Sequence, residues 1–345
     1  MTRTETLSLY DVNIVIEFED GRVGESIGAV VKNLSGVAQQ FNGSQAAAPI
    51  FIKILNKKSV SLPGGSTLLS PEKDPLKVFS HRSKLYIVLD KSILELDLET
   101  GTASGYFDEP IFRYARMVSH RFLLSGIVIL LHARGFYYVH ASAVERDNEG
   151  YIFVGKSGSG KSTNAIRLAE KGWNYLSDDS LFLCQNGRDQ VEVRAIPNEF
   201  KLNGELLQEI STQRLAAQSF SIPNFQHTFS VPKFNKKFIR IRNAYPDQFR
   251  KGCVARVLIH PVIVSEPVSR MMPLKKLEAL SVLMRESRFL FIQHAATNQH
   301  LHVLKDLVNQ CICYRLLAGR DLLDNPDTLS EIVLNSSLAE SGHGY

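Results

Sequence analysis

Between Tyr151 and Lys171 the chain runs from a short apolar segment through Gly155-Lys-Ser-Gly-Ser-Gly-Lys-Ser162 into an amphipathic segment. Glycines at 155, 158 and 160, then Lys161 and Ser162, satisfy the spacing G-x-x-x-x-G-K-[ST]. That spacing restricts the local fold to a strand, a tight loop and a helix. Tyr151 to Val154 is apolar enough for the strand, and Ser162 to Lys171 carries Ala165, Leu168 and Ala169 on one helical face. Gly172 follows at the position where a left-handed residue closes a helix. Glycines let such a loop wrap tightly and aim successive backbone N–H groups at phosphate oxygens. The lysine then reaches the β/γ-phosphates, the hydroxyl ligates Mg²⁺, and the helix N-terminus adds positive potential. The residues expected to contact a nucleotide are Gly155, Ser157, Gly158, Ser159, Gly160, Lys161, Ser162 and Thr163.

The remainder of the chain sets the frame for this loop. Its 345 residues suit two domains at about 150 residues each. With 44% apolar and 22% charged residues, a disordered or fibrous chain is excluded. The net charge of +5 is too small to argue nucleic-acid or membrane binding. Four cysteines make no disulfide framework at this length, which points to a reducing, cytoplasmic compartment. The N-terminus lacks the apolar core of a secretory signal. The longest strongly apolar run, Phe122 to Leu131, falls short of the ~20 residues of a spanning helix.

The first hundred residues read as strands: Leu9 to Phe18, Pro49 to Leu55, Leu85 to Leu89 and Ile93 to Leu98, with turns at Pro63-Gly-Gly65 and Thr100-Gly101. Near Asp108-Glu-Pro110 the texture changes. Phe112 to Leu131 predicts a buried helix, Phe136 to His140 a strand, and strands and helices alternate from there. The expected division is a β-rich module over residues 1–110 and a catalytic domain over 111–340. Within the latter, helices are expected over Pro273 to Glu286, Gln299 to Val308 and Pro326 to Leu334, with a strand over Ile312 to Leu317.

Two further features carry chemistry. Asp178-Asp179 follows the loop by one helix and one expected strand, where a nucleotide-dependent kinase needs one carboxylate near Mg²⁺ and another to take the acceptor's proton. Neighbours on an extended chain point different ways, so the two can divide these roles. His140 ends the strand before the loop strand; a lone histidine there has a packing role as its simplest reading.

His140-Ala-Ser-Ala-Val144, Gly155 to Ser162 and Ser177-Asp-Asp179 together resemble the C-terminal kinase domain of HPr kinase/phosphorylase, best over residues 135–185. Ile312 to Asp321 is similar to the closing strand of the broader group. The resemblance implies an α/β P-loop kinase domain of the HPr kinase/phosphoenolpyruvate carboxykinase-like type, preceded here by a β-rich N-terminal domain. It implies ATP and Mg²⁺, a serine hydroxyl of a protein, a peptide or a small molecule as acceptor, and a homo-oligomer. By the same resemblance Lys161 holds the β/γ-phosphates, Ser162 and Asp179 the metal, Asp178 acts as base, and His140 tunes Asp178. The family's glutamate-and-arginine run is absent; Glu199, in Pro197-Asn-Glu-Phe-Lys201, takes its place as a candidate metal ligand.

Lys233, Lys236, Lys237, Arg240 and Arg242 form the densest basic stretch, suited either to a flap over the phosphates or to an edge strand with a solvated lysine face. Cys311-Ile-Cys313 has no second cysteine pair, so packing explains it better than zinc. Arg320-Asp321 is expected to finish the preceding strand. A nucleotide-switched ATPase or assembly factor is the competing function. The signatures of transporter ATPases, which write the loop the same way, are missing.

Overall fold

In a computed structural model the chain forms two compact units, one of Met1–Phe136 with Pro223–Pro232 and Phe289–Gln299, the other of Tyr137–Ile222, Lys233–Arg288 and His300–Tyr345. The structure describes residues 2–10, 12–19, 24, 27–28, 31, 47–55, 60–70, 76–108, 116–196, 200–203, 217, 219–220, 236–239, 241–287, 289–290, 297–325 and 327–341. Both units combine helices with extensive β-sheet, so the chain is a mixed α/β, sheet-rich protein. Among the described residues no helix is long and apolar enough to cross a membrane.

The first unit is built on one eight-stranded sheet. Its strands are β1 (Thr2–Leu9), β2 (Val12–Glu19), β3 (Ala47–Leu55), β4 (Thr67–Leu68), β5 (Lys77–His81), β6 (Lys84–Leu89), β7 (Ser92–Asp97) and β8 (Thr102–Tyr106). They lie in the order β1-β2-β3-β8-β7-β6-β5-β4, with β3 parallel to both its neighbours. The strand expected over Leu9 to Phe18 is in fact divided. Tyr10, at φ 50, turns the chain, and Leu9 pairs with Val12 across a hairpin. The pairing expected across Asp90 to Ser92 is present, with Asp90 at φ 52.

Helix α1 (Arg116–His132) packs on this sheet, against β6 and β7. The change-over expected near residue 110 therefore comes at Phe136–Tyr137 instead. The physical reason is close packing. Gly126 brings the helix so near that a Cβ there would lie 2.5 Å from Leu94 Cδ2, and the ring of Phe122 meets that of Phe107 edge-on at 5.1 Å. A run buried all round, as Ile127 to Leu131 is, has no amphipathic stripe from which to read which sheet it covers.

The second unit opens with β9 (Tyr137–Val139), β10 (Ala141–Arg146), β11 (Glu149–Val154), helix α2 (Lys161–Glu170) and β12 (Asn174–Ser177). It continues through β13 (Leu181–Gln185), β14 (Val191–Ala195), β15 (Phe200–Asn203), β16 (Ser219–Phe220), β17 (Lys236–Ile239) and the short helix α3 (Ile241–Ala244). Then come β18 (Gly252–Ile263), β19 (Arg270–Pro273), α4 (Lys276–Glu286), α5 (Thr297–Gln310), β20 (Ile312–Ala318), α6 (Asp321–Asp324) and α7 (Asp327–Ser341). The three helices and the strand expected near the C-terminus appear as α4, α5, α7 and β20.

Nine strands form the main sheet, in the path β12-β10-β11-β18-β14-β13-β9, with β20 beside β18 and β19 beside β20. Strands β11, β18 and β20 run parallel, while β10 is antiparallel to both β11 and β12. The C-terminal ends of β11, β12 and β18 therefore share one edge of the sheet with the N-terminal start of β10. Helix α2 buries Ala165, Ile166, Leu168 and Ala169 in a cluster with Phe153, Trp173, Ile259, Leu316 and Leu329. It ends as expected: Gly172, at φ 85, donates its N–H to Ala169 O at 3.0 Å and Trp173 N–H reaches Leu168 O at 3.1 Å.

Strand β17 is the middle of a small antiparallel sheet, β15-β17-β16, so Lys236 and Lys237 do not lie on an edge strand. Lys233 and Arg240 lie outside the described residues. Arg242 sits in α3 with its guanidinium 4.0 Å above the ring of Phe249. Cys311 and Cys313 are buried, consistent with packing, and all four cysteines are free thiols. Asp321 does finish the strand before it. Its carboxylate accepts from the backbone N–H of Ser269 at 2.8 Å and from the Ser269 hydroxyl, while Ser269 Oγ accepts from Gly319 N–H at 2.7 Å.

Gly105 in β8 gives a test of the first unit's packing. A Cβ there would sit 2.5 Å from Ile93 O and 3.1 Å from Leu94 Cα, both backbone atoms that cannot swing aside. Gly105→Ala is expected to destabilise the protein by about 1–3 kcal/mol. Urea unfolding followed by circular dichroism measures it, and an unchanged midpoint would contradict this packing.

Candidate phosphate-binding site

The loop is positioned by β11 before it and α2 after it, as expected from its spacing. Gly158 and Gly160 take φ values of 83 and 95, a region that costs a side chain about 1–2 kcal/mol. Gly160 is also the N-cap of α2 and offers no side-chain cap, so the first N–H groups of the helix are left to other acceptors. Lys161 is only 5% exposed; its ammonium donates to Gly155 O at 2.6 Å and Lys156 O at 3.2 Å. Lys156, Ser157 and Gly158 are exposed, and Ser162 and Thr163 half-buried.

Two polar atoms in this region are buried without a hydrogen-bond partner among the described residues: Ser159 Oγ and Asn164 Nδ2, on residues 5% and 4% exposed. A buried donor left unpaired costs about 1–3 kcal/mol, so such atoms mark a place where a ligand supplies the acceptor. Phosphate oxygens fit both. Asn164, one turn into α2, was missed in the sequence because an isolated asparagine in a helix carries no motif.

Sheet topology brings the paired aspartates to this loop. They form the turn between β12 and β13, at the edge where β11 ends. Ser162 Oγ donates to Asp178 O at 3.4 Å, and Ser142 Oγ, from the second residue of β10, donates to the same carbonyl. His140 Nδ1 lies 2.7 Å from Asp179 O, which requires the proton on Nδ1, and its own backbone N–H donates to Glu286 O at the end of α4. His140, Ser162 and both aspartates thus meet in one place, with Ser142 as a partner that sequence reading overlooked.

The two carboxylates differ. Asp178 is 1% exposed, whereas Asp179 is half-buried and its Oδ1 accepts from Ser180 Oγ at 2.9 Å. Hydroxyl and carboxylate oxygens are the donor set of a hard cation such as Mg²⁺. Ser162 and the aspartates therefore fit Mg²⁺ in kind. Among the described residues no group of three or more His, Cys, Asp or Glu side chains is placed to hold a metal ion. Glu199, the third expected ligand, lies outside the described residues.

A second histidine enters from β18. His260 Nδ1 is 2.9 Å from Val154 O, and its ring packs against Gly155. Burial, and then the positive charges of Arg315, Arg285 and Lys161, hold this imidazole below its ordinary value against the opposing effect of the bond to Val154.

No protein-family model matches the chain. It is 28% identical over 123 residues to the HPr kinase/phosphorylase of Mycoplasmopsis pulmonis (strain UAB CTIP), a match covering 32% of this chain and 40% of that protein's length. A search of solved structures aligns it with the HPr(Ser) kinase/phosphatase of Coxiella burnetii at a TM-score of 0.31 and 13% identity, over 59% of this chain and 98% of that one. The resemblance read from His140, the glycine loop and the paired aspartates is borne out: the chain is similar to HPr kinase/phosphorylase, and divergent from it.

Proposed function

We propose that this chain is an ATP-dependent kinase that transfers the γ-phosphoryl group to a serine hydroxyl of a protein or peptide acceptor. The observation that carries this reading is the contact between the two motifs, Ser162 of the loop donating to the main-chain carbonyl of Asp178 at 3.4 Å. A phosphate-binding loop alone serves any nucleotide-dependent protein. A carboxylate pair held against it adds a group that takes a proton from an acceptor.

In this mechanism the loop amides, with Ser159 and Asn164, orient the polyphosphate, and Lys161 turns from the carbonyls of Gly155 and Lys156 to the phosphate oxygens. When bound, Mg²⁺ neutralises phosphate charge, with Ser162 and Asp179 as its protein ligands and Glu199 as a third. Asp178 accepts the proton of the serine hydroxyl as it attacks. Because its carboxylate is covered, the acceptor meets it only after the turn between β12 and β13 has opened. Ser142 and His140 hold that turn through its backbone. The likeness to HPr kinase/phosphorylase supports a kinase; a cytoplasmic location and a homo-oligomer belong to the same proposal.

The burial of Asp178 also favours a second reading, a nucleotide-switched ATPase without an acceptor. Labelled ATP separates the two: a kinase moves label onto a protein or peptide, whereas a switch only releases phosphate. Asp178→Asn is expected to lower transfer by about 10²–10⁴-fold while nucleotide binding persists. Full transfer by that variant would remove Asp178 from the role of base. Lys161→Ala is expected to weaken MgATP binding at least about tenfold, read by isothermal titration calorimetry.

A further inference from the structure

We infer that His260, which belongs to no sequence motif, is the positioning residue of the phosphate-binding loop: its ring holds the backbone of Val154 and Gly155 in the shape that receives phosphate. This rests on the reading of the loop as a nucleotide site.

Parallel pairing between β11 and β18 ends at Phe153 opposite Ile259, so the backbone ladder stops one residue before the loop. At that point the side chain of the next residue on β18 takes over. His260 Nδ1 lies 2.9 Å from Val154 O, and since a carbonyl only accepts, Nδ1 carries the proton. The ring also sets how close the loop can lie. A Cβ on Gly155 would stand 3.0 Å from His260 Nδ1, 3.1 Å from Cε1 and 3.1 Å from Ser159 Oγ. Imidazole, first glycine and the buried Ser159 hydroxyl therefore form one packed contact. A change at His260 reaches the phosphate side of the loop through Gly155 and Ser159.

The charges around His260 suit a neutral ring. Lys161 faces it from α2, Arg285 from α4 and Arg315 from β20, where Arg315 is directly opposite His260 in register and paired with Glu278 of α4. Burial and these cations disfavour a fourth positive charge. The imidazole accordingly acts by shape and by one donated hydrogen bond, while Lys161 supplies the attraction for anions.

Calorimetric titrations of MgATP and MgADP into the full chain test this with three variants. His260→Phe keeps the ring volume and removes the donor. His260→Asn keeps a donor near the position of Nδ1. Gly155→Ala leaves His260 in place and drives a methyl into its ring. His260→Phe and Gly155→Ala are expected to weaken both nucleotides about tenfold, and His260→Asn to stay within about threefold of wild type, because one well-placed hydrogen bond is at stake. Thermal melting is expected to move little in all three, and the KM for acceptor to stay constant while that for ATP rises. Wild-type affinity in His260→Phe or in Gly155→Ala overturns the inference, as does a loss in His260→Asn equal to that in His260→Phe. A wild-type protein that binds no nucleotide overturns the nucleotide reading itself, whereas binding that is indifferent to residue 260 overturns only the role given to His260.

Discussion

The second unit depends on the parallel alignment of β11 with β18. A parallel pair directs both C-terminal ends to the same side, and β11 ends in the glycine loop while β18 brings His260 to it. Strand β10 then lies antiparallel between β11 and β12, so the turn carrying the paired aspartates arrives at that edge as well. Reversing β11 or β12 would separate the loop from Asp178 and Asp179 by the length of a strand, and reversing β18 would take His260 away from it, however intact the residues themselves.

What holds the edge together is a set of backbone carbonyls used as anchor points. Asp178 O accepts from Ser142 and Ser162, Asp179 O meets His140, and Val154 O meets His260. Side chains from β10, α2 and β18, with His140 between β9 and β10, thereby fix main-chain positions and leave carboxylate and amide groups for chemistry. Ser159 Oγ of the loop and Asn164 Nδ2 of α2 are buried without a hydrogen-bond partner among the described residues. Preorganised donors of this kind are useful because they need not reorganise when charge arrives.

Some elements were legible because their signal is local. Strand β11, helix α2 and its Gly172 terminator follow from consecutive residue types, as do the β6–β7 hairpin and the C-terminal helices. Others misled for identifiable reasons. Leu9 to Phe18 alternates as one strand would, yet Tyr10 turns the chain with a positive φ that tyrosine rarely takes. Within helix α1 the run Ile127 to Leu131 is buried all round, so its partner sheet was not encoded in a stripe, and the division between units moved from about residue 110 to Phe136–Tyr137. Lys236 and Lys237 suited either a flap or the face of an edge strand, but β17 finds a strand on each side, which removes the edge-strand reading.

By itself the sequence determined that a strand, a glycine loop and a helix occur at Tyr151 to Lys171, with a lysine and a hydroxyl where phosphate chemistry needs them. Glycine conformations and the order of backbone amides are properties of neighbouring residues, so they survive without knowledge of the fold. Only the tertiary structure decided which groups surround that loop. Asp178 is covered and Asp179 half-open, Ser142 joins His140 and Ser162 in bracing the turn, and His260 reaches across from more than a hundred residues away. Those relations arise from strand order and direction in a mixed sheet, which no periodicity along the chain records.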